Sequence, residues 1–219
     1  NINGFLNILE CCRHNNISRF VYASSSSVYG NSKKTPFKET HNVDNPISLY
    51  AATKKSNELM AYTYSHLYNL ETIGLRFFTV YGPFGRPDMA YSIFTKSILE
   101  NKPIKVFNNG ELSRDFTYID DIVDGISKVI LVDSKTDSLY KLYNIGNNKP
   151  VNLMDFIESI ENILNKKAIK KMYPMQKGDV NTTWADVSNL INDYDFMPNT
   201  DLSIGVSRFI YWFMNYYKK

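Results

Sequence analysis

Cysteine is nearly absent: the 219 residues hold two, Cys11 and Cys12, side by side. Neighbouring cysteines in a helix-like stretch cannot staple distant loops and lack metal-ligand spacing. They exclude a disulfide framework and a cysteine metal centre, and they fit a reducing cytoplasm. A basic block is missing too. The 25 Lys and Arg and 22 Asp and Glu are spread along the chain, leaving a net charge of +3 and no stripe that would track a phosphate backbone, so nucleic acid is not an expected partner. Long hydrophobic runs are equally scarce. The most apolar segment near an end, Phe209 to Tyr217, is too short to cross a bilayer, and no leader-like segment opens the sequence, so no membrane association is expected. Also missing is a glycine-rich strand-to-helix turn of the kind that cradles a pyrophosphate; Gly74, Gly82 and Gly85 do not compose one. There is no internal repeat, and the serine run Ser24 to Ser27 is the sole low-complexity stretch.

The chain does have enough apolar material, 43% hydrophobic and 14% aromatic, to bury one sizeable core or two small ones. Its first half alternates helix and strand. The patterning predicts a helix to about Asn15 with Phe5, Ile8, Leu9 and Cys12 on one face, and a strand over Arg19–Ala23. A loop, a helix from about Pro46 to Asn69 and a strand over Glu71–Phe78 follow. That order is the mark of a doubly wound parallel sheet, and both strands read as buried on two faces. Beyond Pro83 the pattern predicts a helix over Met89–Glu100, short strands near Ile104–Phe107 and Asp115–Tyr118, and a helix over Asp120–Val132. Two amphipathic stripes close the chain, one through Phe156, Ile157, Ile160, Ile163 and Leu164, the other through Val206, Phe209, Phe213 and Tyr216. The fold expected is α/β: a partial Rossmann-type sheet from residues 1–78 with about 115–147, and a smaller lobe from about 79–114 with 148–219.

Tyr50 and Lys54 lie four residues apart, just after a proline suited to a helical first turn, so both side chains share one face. A free tyrosine has a pKa of about 10, and an adjacent ammonium favours the phenolate, which can exchange a proton with a hydroxyl. Taken alone, the pair equally describes a half-exposed tyrosine beside a solvated lysine. The serine run upstream favours chemistry: it follows an apolar strand directly, where Ser25 can offer a hydroxyl to the same substrate oxygen.

Several further segments occur in a telling order: Asn1-Ile2-Asn3-Gly4, Tyr22 through Gly30, Tyr50 to Lys54, Leu75 through Pro83, Arg114-Asp115-Phe116, Tyr143 through Gly146, and Gly178-Asp179-Val180. With these landmarks the chain resembles the extended short-chain dehydrogenase/reductase family, and within it the nucleotide-sugar 4-epimerases. The resemblance runs from Asn1 to about Asp186. It implies NAD as cofactor, contacted by Asn1, Tyr50, Lys54 and the backbone at Phe77. Tyr50 is the implied acid/base, Lys54 its cationic partner and Ser25 the hydroxyl that holds the reacting oxygen. Phe107 is implied near the uracil and Arg114 near the diphosphate, with a surface pair to Asp115 or Asp120 as the other reading of Arg114. Asp179 belongs to the same substrate set, and the partner is a UDP-sugar.

Members of the family share oxidation at sugar carbon 4 and differ afterwards. Those that dehydrate dTDP-glucose resemble one another in an Asp and a Glu right after the catalytic hydroxyl, and those that decarboxylate UDP-glucuronate carry a Glu two positions on. Ser26 and Ser27 stand there instead, which favours an epimerase. The segment from Gly85 to Ala90, including Arg86 and Met89, is similar to that of UDP-glucuronate 4-epimerases. Ser26, Ser27, Thr79 and Arg86 would then meet a sugar carboxylate. Gln176, three residues before Asp179, stands where neutral-sugar epimerases carry an arginine. Other readings stay open: a UDP-hexose 4-epimerase, a reductase on the same scaffold, or a non-catalytic nucleotide-sugar-binding fragment. The resemblance also implies a homodimer and about a hundred residues ahead of Asn1, the size of a mononucleotide-binding half, without which this stretch alone is expected to be inactive.

Overall fold

The computed structural model describes residues 1–176 and 179–218. In chain order the elements are α1 (Ile2–His14), β1 (Arg19–Ser25), α2 (Leu49–Tyr68), β2 (Glu71–Phe77), β3 (Thr79–Tyr81), α3 (Ala90–Leu99), β4 (Pro103–Phe107) and β5 (Ser113–Tyr118). They continue as α4 (Ile119–Leu131), β6 (Tyr140–Ile145), β7 (Pro150–Asn152), α5 (Leu153–Leu164), β8 (Ile169–Tyr173), α6 (Ser188–Tyr194) and α7 (Leu202–Tyr217). β1, β2 and β6 form a parallel sheet in that order. β3 pairs in parallel with β5, which pairs antiparallel with β7, and β4 pairs in parallel with β8.

Two apolar cores organise these layers. One gathers Ile73 and Leu75 of β2, Tyr143 and Ile145 of β6, Ile122 of α4, and Ala185, Val187, Leu190 and Phe196. The other packs α3, α5 and α7 around β5, with Phe116 stacked on Phe156 at a centroid separation of 4.1 Å. Burying an aliphatic or aromatic side chain of this size contributes about 1.5–3 kcal/mol, so spacing such as Val206, Phe209, Phe213 decides which face of α7 turns inward.

Several expectations need correction. β1 is not buried on both faces: Arg19 to Val21 are half-buried and Ala23 is exposed, because β1 is an edge of its sheet among the described residues, while β2 between two strands is buried. Pro46 does not open α2. The helix starts at Leu49 because the Ser48 side chain accepts a hydrogen bond from the Ala51 N–H (3.1 Å), a stronger start signal than the proline three residues earlier. Of the apolar stripes, Ile8, Ile163 and Tyr216 face solvent. The strand expected through Phe78 stops at Phe77, and the chain passes into the second sheet at Thr79.

Candidate active site

The serine run makes a tight exit from β1. The Ser25 hydroxyl oxygen accepts the Ser27 N–H (3.2 Å) and its hydrogen points to the Ser27 oxygen (3.1 Å), capping a short 3-10 helix over Ser26–Tyr29. Gly30 ends that helix at φ +57°, where any Cβ would stand 2.6 Å from the Asn45 carbonyl oxygen. Ser25 is level with Phe77 on β2, and Phe77 with Ile145 on β6. The carboxyl ends of three parallel strands thus meet at one edge, the place where ligands bind in open α/β sheets.

Over this edge lies the start of α2. Tyr50 sits in its first turn, 50% exposed, and its phenol has no hydrogen-bond partner among the described residues. The Lys54 ammonium lies 5.9 Å from the Tyr50 ring centre and donates to the Ala23 carbonyl at 2.8 Å. Burial pushes the Lys54 pKa down. Asn1, at the head of α1, donates from its amide to the Thr53 hydroxyl (3.0 Å), and its carbonyl accepts from the Asn57 amide (3.2 Å). Asn1, Tyr50 and Lys54 therefore share one helix end.

One cleft adjoins the serine turn, and a second lies next to it. The smaller, of about 220 Å³, is lined by Ser26, Ser27, Ser48, Thr79, Arg114 and Asp179 among others. The larger, of about 710 Å³, runs past Asp88, Met89, Lys105, Phe107 and Gln176. Thr79, Arg114 and Asp179 border both, so the two are neighbours and are described together as one depression. Of the residues expected at the substrate, Ser26, Ser27, Thr79, Met89, Phe107, Arg114 and Asp179 line it. Arg86 is not among the lining residues: its exposed guanidinium bonds Asp88, which does line the larger cleft, at 2.5 Å. Tyr50 and Tyr91 add smaller contributions to the raised Arg86 pKa, after the dominant Asp88 bond.

Arg114 is held where burial lowers its pKa and Asp179 opposes that shift, with 2.5 Å between guanidinium and carboxylate. Its partner is thus neither Asp115 nor Asp120. Asp120 pairs with Arg208 (3.5 Å). Asp115 turns inward, fully buried, and accepts from the Asn147 N–H (2.6 Å), the Ala185 N–H (3.0 Å) and the Thr117 hydroxyl (3.2 Å). Gly178 of the Gly178-Asp179-Val180 landmark, and Lys177 before it, lie outside the described residues. Asp88, Ser48 and Lys105 line the depression without having been singled out in the sequence, although Asp88 lies within the Gly85 to Ala90 segment. Among the described residues no group of three or more His, Cys, Asp or Glu is placed to hold a metal ion, and no helix is long and apolar enough to cross a membrane.

Burial raises the Asp115 pKa to about 6, against the opposing hydrogen bonds. The native state therefore holds this proton more tightly than the unfolded chain, whose carboxyl titrates near 3.9. The contribution of the group to stability grows as pH falls through that window and is lost as pH rises through about 6. Between pH 7 and 5 the stability of the wild type relative to Asp115→Asn should rise by about 1 kcal/mol in denaturant titrations; a difference that stays flat or shrinks would contradict this.

With this geometry in place, comparison with known proteins is direct. Residues 1–146 match the NAD dependent epimerase/dehydratase family. The chain belongs to this family. Over all of its length it is 54% identical to Protein CapI of Staphylococcus aureus, of which it spans 70%. It is 45% identical to UDP-glucuronate 4-epimerase 2 of Arabidopsis thaliana, again over all of this chain but only 54% of that protein. The chain thus spans about half the length of such plant relatives. Among solved structures, UDP-glucuronic acid 4-epimerase from Bacillus cereus in complex with UDP-glucuronic acid and NAD superposes with a TM-score of 0.90 at 33% identity, over 97% of this chain and 67% of that one. The parallel sheet with helices around it is accordingly the Rossmann-type arrangement of epimerases in this family.

Proposed function

We infer that the chain carries the catalytic part of an NAD-dependent UDP-sugar 4-epimerase and that its sugar is UDP-glucuronate. The relatives named above support the reaction class. The observation that carries the choice of sugar is the neutral, hydroxyl-rich wall beside Ser25. Ser26, Ser27, Ser48, Thr79 and Thr183 border the smaller cleft, and the carboxylate among its lining residues, Asp179, is tied to Arg114. A sugar carboxylate meets donors there and no free acid.

In this reading the residues fit the nicotinamide end of NAD: Lys54 and Asn1 lie at the strand ends beside Tyr50, and Lys54 is fixed by the Ala23 carbonyl. When bound there, NAD would supply the hydride acceptor and donor for sugar carbon 4. Tyr50 takes the carbon-4 hydroxyl proton as the ketone forms, and gives it back once the sugar has turned and the opposite face is reduced. Ser25 steadies the reacting oxygen. Phe107 supplies an apolar wall for the base, and Arg114 donates to the diphosphate, shared with Asp179. The same reading includes a homodimer in a reducing cytoplasm, supported by exposed Leu59, Tyr62 and Leu67 on α2 and by the free thiols of Cys11 and Cys12.

The 4-keto form of a glucuronate is a β-keto acid and can lose carbon dioxide. The proposed restraint is hydrogen bonding of the carboxylate by Ser26, Ser27 and Thr79, which holds it in an orientation unfavourable to cleavage. Thr79→Ala in the complete gene product should raise the share of UDP-pentose in the product several-fold, on the order of one lost charge-assisted hydrogen bond, as read by chromatography. An unchanged pentose share sinks the restraint by orientation.

A further inference from the structure

A chain of buried polar side chains runs beneath the candidate site, and the proposed chemistry does not use it. Glu58 and Arg76 are each 1% exposed and meet in a two-pronged ion pair, both contacts 2.8 Å. The Ser24 hydroxyl donates to Glu58 at 2.6 Å. On the other side, Arg76 donates to the Tyr29 phenol (3.0 Å), and that phenol donates to the Asn144 side-chain oxygen (2.6 Å). Asn144 in turn donates to the carbonyls of Phe37 (2.8 Å) and Asp186 (3.0 Å).

Every member but Asn144 neighbours a residue assigned to the cofactor or substrate, and Asn144 ties in the third strand. Ser24 precedes Ser25 at the end of β1. Arg76 precedes Phe77 on β2. Tyr29 closes the 3-10 turn that holds Ser26 and Ser27, and Asn144 precedes Ile145, whose carbonyl accepts the Phe78 N–H at 3.2 Å. Glu58 lies one helical turn beyond Lys54 and two beyond Tyr50 on α2. Lys54 already ties α2 to the Ala23 carbonyl, so β1 is fixed to this helix at two successive residues, once by the ammonium and once by the carboxylate.

We propose that the Ser24–Glu58–Arg76–Tyr29–Asn144 chain is a positioning device that sets the height of α2 against β1 and β2, and so the placement of the Tyr50 phenol relative to the Ser25 hydroxyl. A buried ion pair is a weak source of net stability, since an apolar pair of equal volume often serves as well. Ser24, Tyr29 and Asn144 instead join three strands, the turn and the helix through directional bonds, and a fully satisfied buried network specifies one arrangement. Ser24 and Glu58 are positioning residues: neither is among those that line the clefts. The proposal rests on the epimerase reading for its turnover arm only.

Ser24→Ala is the decisive variant, because it deletes one hydroxyl and leaves the ion pair intact. In the complete gene product with NAD and UDP-glucuronate, it should lower kcat about tenfold or more, since small misplacements of reacting groups are costly. KM should stay within about twofold of wild type, and Tm within a few degrees. Crystal structures of wild type and variant with NAD should show the separation of the Tyr50 and Ser25 oxygens changed by about 0.5 Å or more, the tolerance of a preorganised site. A Ser24→Ala enzyme with kcat within twofold of wild type and an unchanged separation overturns the proposal, whatever happens to Tm. Should the wild type convert no UDP-sugar, the epimerase reading fails, and the crystallographic separation alone decides the positioning role: a change supports it, and no change overturns it.

Discussion

Tyr50→Phe should lower kcat by about two to four orders of magnitude in the complete gene product, the range general acid–base groups contribute. The substitution deletes one oxygen from a side chain that is half exposed and without a hydrogen-bond partner among the described residues, so stability and substrate binding have little to lose. The ring that Lys54 faces at 5.9 Å is retained. The expected signature is therefore a fall in kcat with KM and Tm nearly unchanged, which separates loss of a proton carrier from loss of a binding contact. A Tyr50→Phe protein with more than about a tenth of wild-type turnover would lie outside that range and remove Tyr50 from its role.

Glu58→Ala should have the largest effect on stability. It leaves the Arg76 guanidinium, 1% exposed, without its carboxylate and the Ser24 hydroxyl without its acceptor. Breaking one half of a buried pair costs about 3–5 kcal/mol, because the surviving charge is left uncompensated. That is a large fraction of the whole stability of an ordinary domain. Denaturant titration should show the loss directly, or the variant should fail to accumulate in folded form. A loss below about 1 kcal/mol, the worth of a typical surface pair, would mean that water reaches Arg76.

How much of this was legible in the sequence follows from how local each feature is. Tyr50 and Lys54 are readable from a four-residue spacing, and the Ser25 turn from a serine run at the end of an apolar strand. The Arg114–Asp179 pair joins residues 65 apart in the chain, and no spacing rule announces such a partner. The buried Arg76–Glu58 pair was hidden in the same way: the arginine between Leu75 and Phe77 and the glutamate 18 residues earlier on a largely polar helix share no spacing rule, and only the tertiary fold brings them together and buries both. The Arg86–Asp88 pair, by contrast, spans two residues, so its partner was within reach of a local reading.

Among the elements, strands were the harder part. β8 carries two lysines in five residues and is mostly exposed, so it lacks the alternation that marks a half-buried strand, and β7 has three residues, too few for any period. β6 is apolar only in part, with Lys141 buried against Glu71 at 2.6 Å, a pairing that again spans 70 positions. The helices fared better. The four given bounds, α1 to α4, moved at their ends by only one to three residues once caps such as Ser48 were in place, α5 and α7 were legible as apolar stripes without ends, and the seven-residue α6 was not expected at all.

The central claim is that the proposed site inverts carbon 4 of an acidic UDP-sugar and leaves its redox state unchanged. The most direct test is proton nuclear magnetic resonance of the complete gene product incubated with NAD and UDP-glucuronate, followed alongside absorbance at the wavelength of reduced nicotinamide. The account predicts UDP-galacturonate approaching equilibrium with its substrate, with no net reduced cofactor and little UDP-pentose. Accumulation of UDP-pentose or reduced cofactor, or turnover of UDP-glucose with UDP-glucuronate left untouched, would contradict it.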